Sequence, residues 1–362
     1  MPRAATACLA SVLCLLALPV SLALAALPQD TPCLQRTLPV TVHDSKGFRL
    51  HGLTSADFQG TYRGQPVKIL SIRHDNRPHR IDILLDTSGS MRGQLGGREW
   101  KMASTVAAHI GQSGSKNTSF ALLLFSDSIR EQTDFSHGNS AVMNRLLEIW
   151  SDSSYVKKNV RGQTALLDAI LSALHMLTVG DFSDSVYLIS DGGDNLSRSH
   201  LNDVRKALAA AQVRLHVTLL AQDGPISPSE SLGAADVREL AYESGGLVMG
   251  SLGLATSGSV SYDLAEVKRR AVATQLSLMY LGMTDNDLIE IELPQSVDRW
   301  RKWFLELSPA TKKLYQDLWI AYPQQLSPLM CALIKLRALR LHTLETVQRG
   351  KIETVHLSIY TV

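Results

Sequence analysis

This chain has no surplus of either charge: 36 Lys and Arg stand against 34 Asp and Glu, a formal net charge of +2 over 362 residues. An even balance removes the global signature of a nucleic-acid binder and that of an acidic, solvated chain. Glycine and proline are not in excess, and neither a low-complexity linker nor an internal repeat is visible. Cysteine is scarce, with Cys8, Cys14, Cys33 and Cys331 the full set. Signatures of nucleophilic catalysis are missing as well: no Ser-His-Asp or Cys-His pattern appears. His109, His175 and His216 sit in periodic elements without metal-ligand spacing and read as packing or surface residues. What is present is apolar content of 45%, enough in a chain of this length to bury at least one full core.

One long apolar run occurs, Leu9 to Ala25, preceded by Arg3 and closed by Ala23-Leu24-Ala25 before Ala26. A small-x-small pattern after such a run reads as a secretory signal over 1–25, cleaved between Ala25 and Ala26. Export would place the mature chain in the periplasm or outside the cell. The competing reading is an uncleaved anchor, because the run approaches spanning length. Cleavage would leave Cys33 and Cys331, and the sequence leaves open whether they form a disulfide or stay as two thiols.

Residues 26–78 read as a β-rich unit. Val40 and Val42 alternate with polar neighbours, Asp44-Ser45-Lys46-Gly47 and Arg63-Gly64-Gln65-Pro66 are turns, and Leu53 to Phe58 is one capped helical turn. The short polar stretch His74 to His79 marks a boundary. Over 79–285 the period switches repeatedly. Apolar runs at Ile81–Leu85, Phe120–Phe125, Val186–Ile189, Leu215–Leu220 and Leu247–Met249 alternate with amphipathic helices. The helices cover Trp100 to Ile110, Val142 to Trp150, Ala165 to Leu177, Leu201 to Ala211, Ala235 to Tyr242 and Leu264 to Tyr280. That alternation predicts a doubly wound α/β domain with a mostly parallel sheet covered on both faces. Residues 286–362 read as an α/β extension. Leu288 to Leu293 is a strand; Val297, Trp300, Phe304 and Leu307 share a helical face; Leu329 to Leu344 is helical; Leu357 and Ile359 alternate with polar neighbours. Trp300, Trp303 and Trp319 suggest a small satellite core, with a membrane-surface or partner-binding helix as the alternative.

In an open α/β sheet, ligands bind beyond the carboxyl ends of the strands. Three polar clusters fall there: Asp86-Thr87-Ser88-Gly89-Ser90, the loop Arg161-Gly162-Gln163-Thr164-Ala165, and Ser190-Asp191-Gly192-Gly193-Asp194-Asn195. Asp86, Ser88, Ser90, Thr164 and Asp191 together offer two carboxylates and three hydroxyls. An all-oxygen set suits a hard cation, Mg²⁺ first, with Mn²⁺ or Ca²⁺ as alternatives. Few charges among the ligands leave the metal electrophilic, ready to accept an Asp or Glu carboxylate from a protein partner. Gly89 is expected to let the chain turn tightly enough to aim both serines at one point. Asp168 and Asp194 read as supporting acceptors.

These motifs resemble those of von Willebrand factor A (VWA) domains. Asp86-Thr87-Ser88-Gly89-Ser90 is similar to the D-x-S-x-S motif of their metal-ion-dependent adhesion site (MIDAS). Thr164 in Gly-Gln-Thr-Ala-Leu-Leu-Asp-Ala resembles the family's distal threonine, and Asp191 in Ile-Ser-Asp-Gly-Gly-Asp-Asn its final aspartate. Leu240 to Gly246 looks like the family's late helix-turn-strand junction, so the resemblance spans roughly Arg80 to Leu281. Gln163 stands where the family has glycine. Val40 to Gly47 and Gly52 to Phe58 resemble the head of the VWFA-related proteins common in Acidobacteria. The resemblance implies a Rossmann-like fold, a bound dication and adhesion to a protein, not an enzyme. A scaffold whose metal holds the loops is the alternative, and metal-assisted hydrolysis a distant third. Lys157, Lys158, Arg161, Arg92 and Arg98 flank the same loops, as scattered solvated charge or as a positive rim for an acidic partner.

Overall fold

The computed structural model describes residues 34–93, 97–177, 183–220, 228–250, 262–315 and 317–328. The expected signal, all four cysteines, the helix expected over Leu329–Leu344 and the alternation at Leu357 and Ile359 lie outside these residues.

The chain begins with β1 (Gln35–His43), β2 (Phe58–Tyr62) and β3 (Gln65–His74). After β1, the Asp44 carboxylate accepts the amides of Lys46 and Phe48, both at 2.9 Å, which closes the expected turn. Ser55–Asp57 is the expected capped turn, with the Thr54 amide donating to Asp57 Oδ2 at 2.8 Å.

Next come β4 (His79–Asp86), α1 (Arg98–Gln112), β5 (Thr118–Phe125), β6 (Ile129–Thr133), α2 (Gly138–Ser151), α3 (Tyr155–Asn159) and α4 (Leu166–Met176). They are followed by β7 (Ser183–Ser190), α5 (Leu201–Ala211), β8 (Arg214–Leu219), α6 (Pro228–Ser244), β9 (Val248–Met249) and α7 (Tyr262–Thr284). The strands form one sheet in the order β6-β5-β4-β7-β8-β9, parallel except where β6 folds back on β5. Every residue of β4 is buried, as a central parallel strand covered on both faces requires. Ile81, Ile83 and Leu85 face a core built with α1, α2 and α7, while Leu84 faces one built with α4, α5 and α6. This is the doubly wound α/β architecture the periodicity predicts.

The rest of the chain supplies β10 (Asp287–Glu292), β11 (Arg301–Lys302), β12 (Phe304–Leu307), α8 (Pro309–Leu314), β13 (Trp319–Ala321) and β14 (Gln325–Leu326). The segment after Asn286 joins the amino-terminal strands: β10 lies between β3 and β1, giving an antiparallel sheet β12-β2-β3-β10-β1-β13. The α/β domain is thus inserted into a sheet whose strands come from both sides of it. One expectation is corrected here: the helical face read across Val297, Trp300, Phe304 and Leu307 is absent. Phe304 is 63% exposed while Leu305 and Leu307 are buried, a period of two, because β12 pairs with β2. Of the three tryptophans, Trp303 is buried in the core shared with β1 and β2, its Nε1 donating to the Pro323 carbonyl at 2.7 Å. Trp319 instead stacks on His43, ring centroids 4.6 Å apart.

The two sheets are bolted together at the amino ends of the parallel strands. The Asp75 amide donates to the Asn286 carbonyl, and the Asn286 side-chain amide to Asp75 Oδ2 at 3.0 Å. The fully buried Arg214 guanidinium donates to the carbonyls of Gly282 and Met283 and to Asn286 Oδ1. Around it sit the buried imidazoles of His43, His79 and His216. Burial, followed by the charge of Arg214, pushes His79 down to about 4. Burial also lowers His43 and takes His216 well below its ordinary range. From His79 at this end to Asp86 at the other, β4 spans about 23 Å, so the junction stands clear of the opposite edge of the sheet.

A pH dependence follows. These imidazoles are held neutral in the fold, so below the ordinary 6.5 the unfolded chain binds more protons than the folded one. Their stabilisation is complete above 6.5 and is lost as the pH falls towards about 4. Asp86, discussed below, titrates in the opposite sense, so the comparison must be internal. In urea unfolding, the midpoint of the wild type should fall relative to that of His79→Asn between these two pH values. A difference between the two proteins that does not change with pH would refute it.

Candidate metal centre

β4 ends at Asp86, and β7 lies beside it in parallel register, Leu85 opposite Ile189. From β4 the chain continues to β5 on one side, while β7 lies on the other, which makes this the switch point where α/β sheets open a crevice. The register sets Asp86 next to Ser190. Ser190 Oγ donates to Asp86 Oδ2 at 2.7 Å and itself accepts the Gly192 amide at 2.9 Å. The Ser88 amide donates to Asp86 Oδ1 at 2.8 Å, curling the chain so that Ser88 Oγ and Ser90 Oγ stand 3.1 Å apart. Asp86 and Ser88 are fully buried; Ser90 is half-buried at the mouth.

Gly89 does not play the expected conformational part. Its φ is −64°, open to any residue, and a short 3₁₀ turn, Ser90–Arg92, follows it. Its requirement is space: a Cβ there would lie 3.2 Å from the Gly162 carbonyl oxygen, which accepts the Gly89 amide at 2.9 Å. The left-handed position is Gly162, at φ +96°. Gln163, where the family pattern has glycine, is exposed and has no positive φ, so the loop accommodates its side chain without strain.

Thr164 is buried, and its backbone is clamped between two other loops. Its amide donates to Asn195 Oδ1 at 2.9 Å, and its carbonyl accepts the amides of Asn195 and Leu196. The following amide, of Ala165, donates to the Ser126 carbonyl at 2.7 Å, and the Arg161 amide reaches the Thr87 carbonyl at 2.8 Å. Asp191 is buried, with Oδ1 accepting the Gly193 amide at 3.1 Å. Asp168 accepts the amides of Arg198 and Ser199, and Asp194 that of Ser197, so both hold the third loop. The five residues singled out from sequence therefore lie on three loops fastened to one another at one edge of the sheet. Sequence reasoning passed over Ser190, Asn195 and the Ser126 carbonyl. Ser190 immediately precedes Asp191 and Asn195 follows it by four residues in the same polar loop, which is the signal that could have found them.

Electrostatics set the character of the site. Burial, then the charge of Asp191, pushes the Asp86 carboxyl up to about 7 against the hydrogen bonds from Ser190 and Ser88. Among the described residues, no group of three or more His, Cys, Asp and Glu forms a cation cage. The donors are two carboxylates with hydroxyls, an all-oxygen set that fits a hard dication and is unlike the Cys and His ligands of a structural zinc.

No curated protein matched the sequence. Among solved structures, BatB from Bacteroides thetaiotaomicron is 14% identical with a TM-score of 0.36, covering 55% of this chain and 98% of its own. An aerotolerance-related membrane protein from Bacteroides fragilis is 14% identical, TM-score 0.36, over 54% of this chain and 98% of its own. A von Willebrand factor type A protein from Catenulispora acidiphila is 12% identical, TM-score 0.37, over 82% of this chain and 75% of its own. These scores are low, so the assignment stands on strand order and on a family match. Residues 81–193, which include Asp86, Ser88, Ser90, Thr164 and Asp191, match the model described as von Willebrand factor type A domain. This chain carries a von Willebrand factor type A domain.

Proposed function

We propose that this VWA domain binds a protein partner through a Mg²⁺-type dication held by Asp86, Ser88, Ser90, Thr164 and Asp191, with Mn²⁺ or Ca²⁺ as alternative ions. The observation that carries the reading is the pair of buried, mutually repelling carboxylates, Asp86 and Asp191, with the Ser88 and Ser90 hydroxyls 3.1 Å apart on the loop that follows Asp86. Asp86 is held at about 7 by burial and its acidic neighbour, a charge arrangement that a cation relieves. When bound, the dication supplies an electrophilic position that a partner's Asp or Glu carboxylate can fill. Ser190 and the Ser88 amide orient Asp86 for this; Asn195 and Ser126 hold the loop of Thr164.

Binding is favoured over a purely structural metal by the loops themselves. They are already joined by Arg161 to Thr87, Gly89 to Gly162 and Asn195 to Thr164, so holding them together does not require an ion. Export to the periplasm or beyond is part of the proposal, supported by the composition of residues 1–25. No helix among the described residues is long and apolar enough to cross a membrane.

Isothermal calorimetry tests the site. Asp86→Ala should abolish Mg²⁺ binding, and Thr164→Ala should weaken it with the fold intact. Ser190→Ala should cost roughly 10–100-fold in metal affinity, the usual effect of losing a group that orients a ligand. Wild-type affinity in Asp86→Ala would sink the reading. Pull-down from envelope extract should recover a partner in Mg²⁺ and lose it in EDTA; capture indifferent to chelator would favour the scaffold.

A further inference from the structure

The loops that close the crevice carry more positive charge than the metal alone can use. Arg92, Lys157, Lys158 and Arg161 are all exposed. They are fixed to the crevice rather than scattered near it. The Arg161 amide is bonded to Thr87, and the next residue, Gly162, to Gly89. Arg92 Nη2 donates to the carbonyls of Val156 and Lys157 at 3.5 and 3.3 Å, tying the loop after β4 to α3. On the other flank, a Cβ on Gly162 would lie 3.1 Å from Asp127 Oδ2 and 3.2 Å from Arg130 Nη2, so a mutually paired acid and base stand against the same loop and leave its charge to Arg161.

Few acids answer these charges. Asp127 is paired with Arg130 at 2.9 Å. Asp152 is engaged by the amide and hydroxyl of Ser154, with Lys158 in its field. Lys157, Lys158 and Arg161 form no ion pair among the described residues. The whole chain carries only +2, so the concentration is local and not a reflection of a basic protein. Cations around a dication site repel the ion and weaken its retention. A domain that needed the metal merely to brace its loops would gain from the opposite rim. The arrangement makes physical sense if negative charge arrives with the ligand.

We infer that this face is an electrostatic dock for an acidic protein segment, one carboxylate of which meets the metal while its neighbours lie over Lys157, Lys158 and Arg161. The inference rests on the metal-mediated reading above and adds the class of partner. A segment with several Asp or Glu residues fits both features at once, whereas a lone carboxylate on a neutral surface would meet the repulsion of the rim uncompensated. Steering of this kind acts mainly on the association rate and fades with salt, because the screening length is about 8 Å at physiological ionic strength.

The test uses the full chain, a short poly-Glu peptide and its poly-Gln counterpart, with Mg²⁺ affinity measured separately by calorimetry. Wild type in Mg²⁺ should bind poly-Glu and not poly-Gln. The triple variant Lys157→Glu, Lys158→Glu, Arg161→Glu should bind poly-Glu roughly tenfold more weakly, through slower association and with a flatter salt dependence. Its Mg²⁺ affinity should be unchanged or higher. The neutral series, with Gln at the same three positions, should fall between. Poly-Glu binding by the triple variant at wild-type affinity and salt slope overturns the rim, as does wild-type preference for polyphosphate or single-stranded DNA over poly-Glu. Capture lost on charge reversal but equal in Mg²⁺ and EDTA would support the rim and overturn the metal reading. Retained Mg²⁺ binding with capture indifferent to charge reversal would do the reverse.

Discussion

The parallel pairing of β4 with β7 brings Asp86 beside Ser190 and Asp191, out of water and at the point where the sheet opens. Two carboxylates so placed repel, and burial removes the solvent that would otherwise screen them. Hydrogen bonds from Ser190 and the Ser88 amide offset part of that cost and fix the orientation of Asp86. The remaining structure of this face serves the pair. Ser88 and Ser90 are turned in by the bond to Asp86, and the Thr164 loop is drawn over by Asn195 and Ser126. Like charge is thus concentrated beside the Ser88 and Ser90 hydroxyls, an arrangement that a bound cation would relieve.

The other end of the sheet is built on the opposite principle. There a buried cation, Arg214, is satisfied by carbonyls and by Asn286, and imidazoles around it are kept neutral. This junction receives both crossing segments between the two sheets, at Asp75 and Asn286. Attaching the antiparallel sheet at the amino ends of the parallel strands leaves their carboxyl ends clear. Glu243, on α6, adds a second tie by pairing with Arg205 and with Lys302 of β11. The mechanical consequence is that the face carrying the candidate site rests on a platform anchored from behind.

The α/β domain was legible because its elements are long, apolar on the expected faces and punctuated by polar loops. The helix read from Leu201 to Ala211 coincides with α5, and Leu215 to Leu220 with β8 to within a residue at either end. Elements with weak apolar signal escaped: β6, largely exposed and polar, and α3, of five residues. The candidate site residues stand in three motifs visible in the sequence, but the fastening of their loops to one another is not, since hydrogen bonds between loops leave no period in a sequence. Pairing between distant strands is hidden for the same reason. Nothing in Leu288 to Leu293 says that its neighbours are β1 and β3, more than 200 residues earlier in the chain. Trp300 to Leu307 misled because a spacing of three and four happened to coincide with apolar residues. The alternation of Trp303, Leu305 and Leu307 was the informative pattern, and the edge of β2 decided between the two.

Ligand linkage offers the most direct test of the claim that the paired carboxylates exist to hold a cation. A dication that binds the folded chain alone raises its melting temperature with the logarithm of concentration once the site is saturated. Wild type should show that rise in Mg²⁺. A variant with both Asp86→Asn and Asp191→Asn should melt at or above the metal-free wild type, freed of the buried repulsion, and should ignore Mg²⁺. A wild-type melting temperature independent of Mg²⁺, or a double variant that responds to Mg²⁺ as the wild type does, would contradict the account.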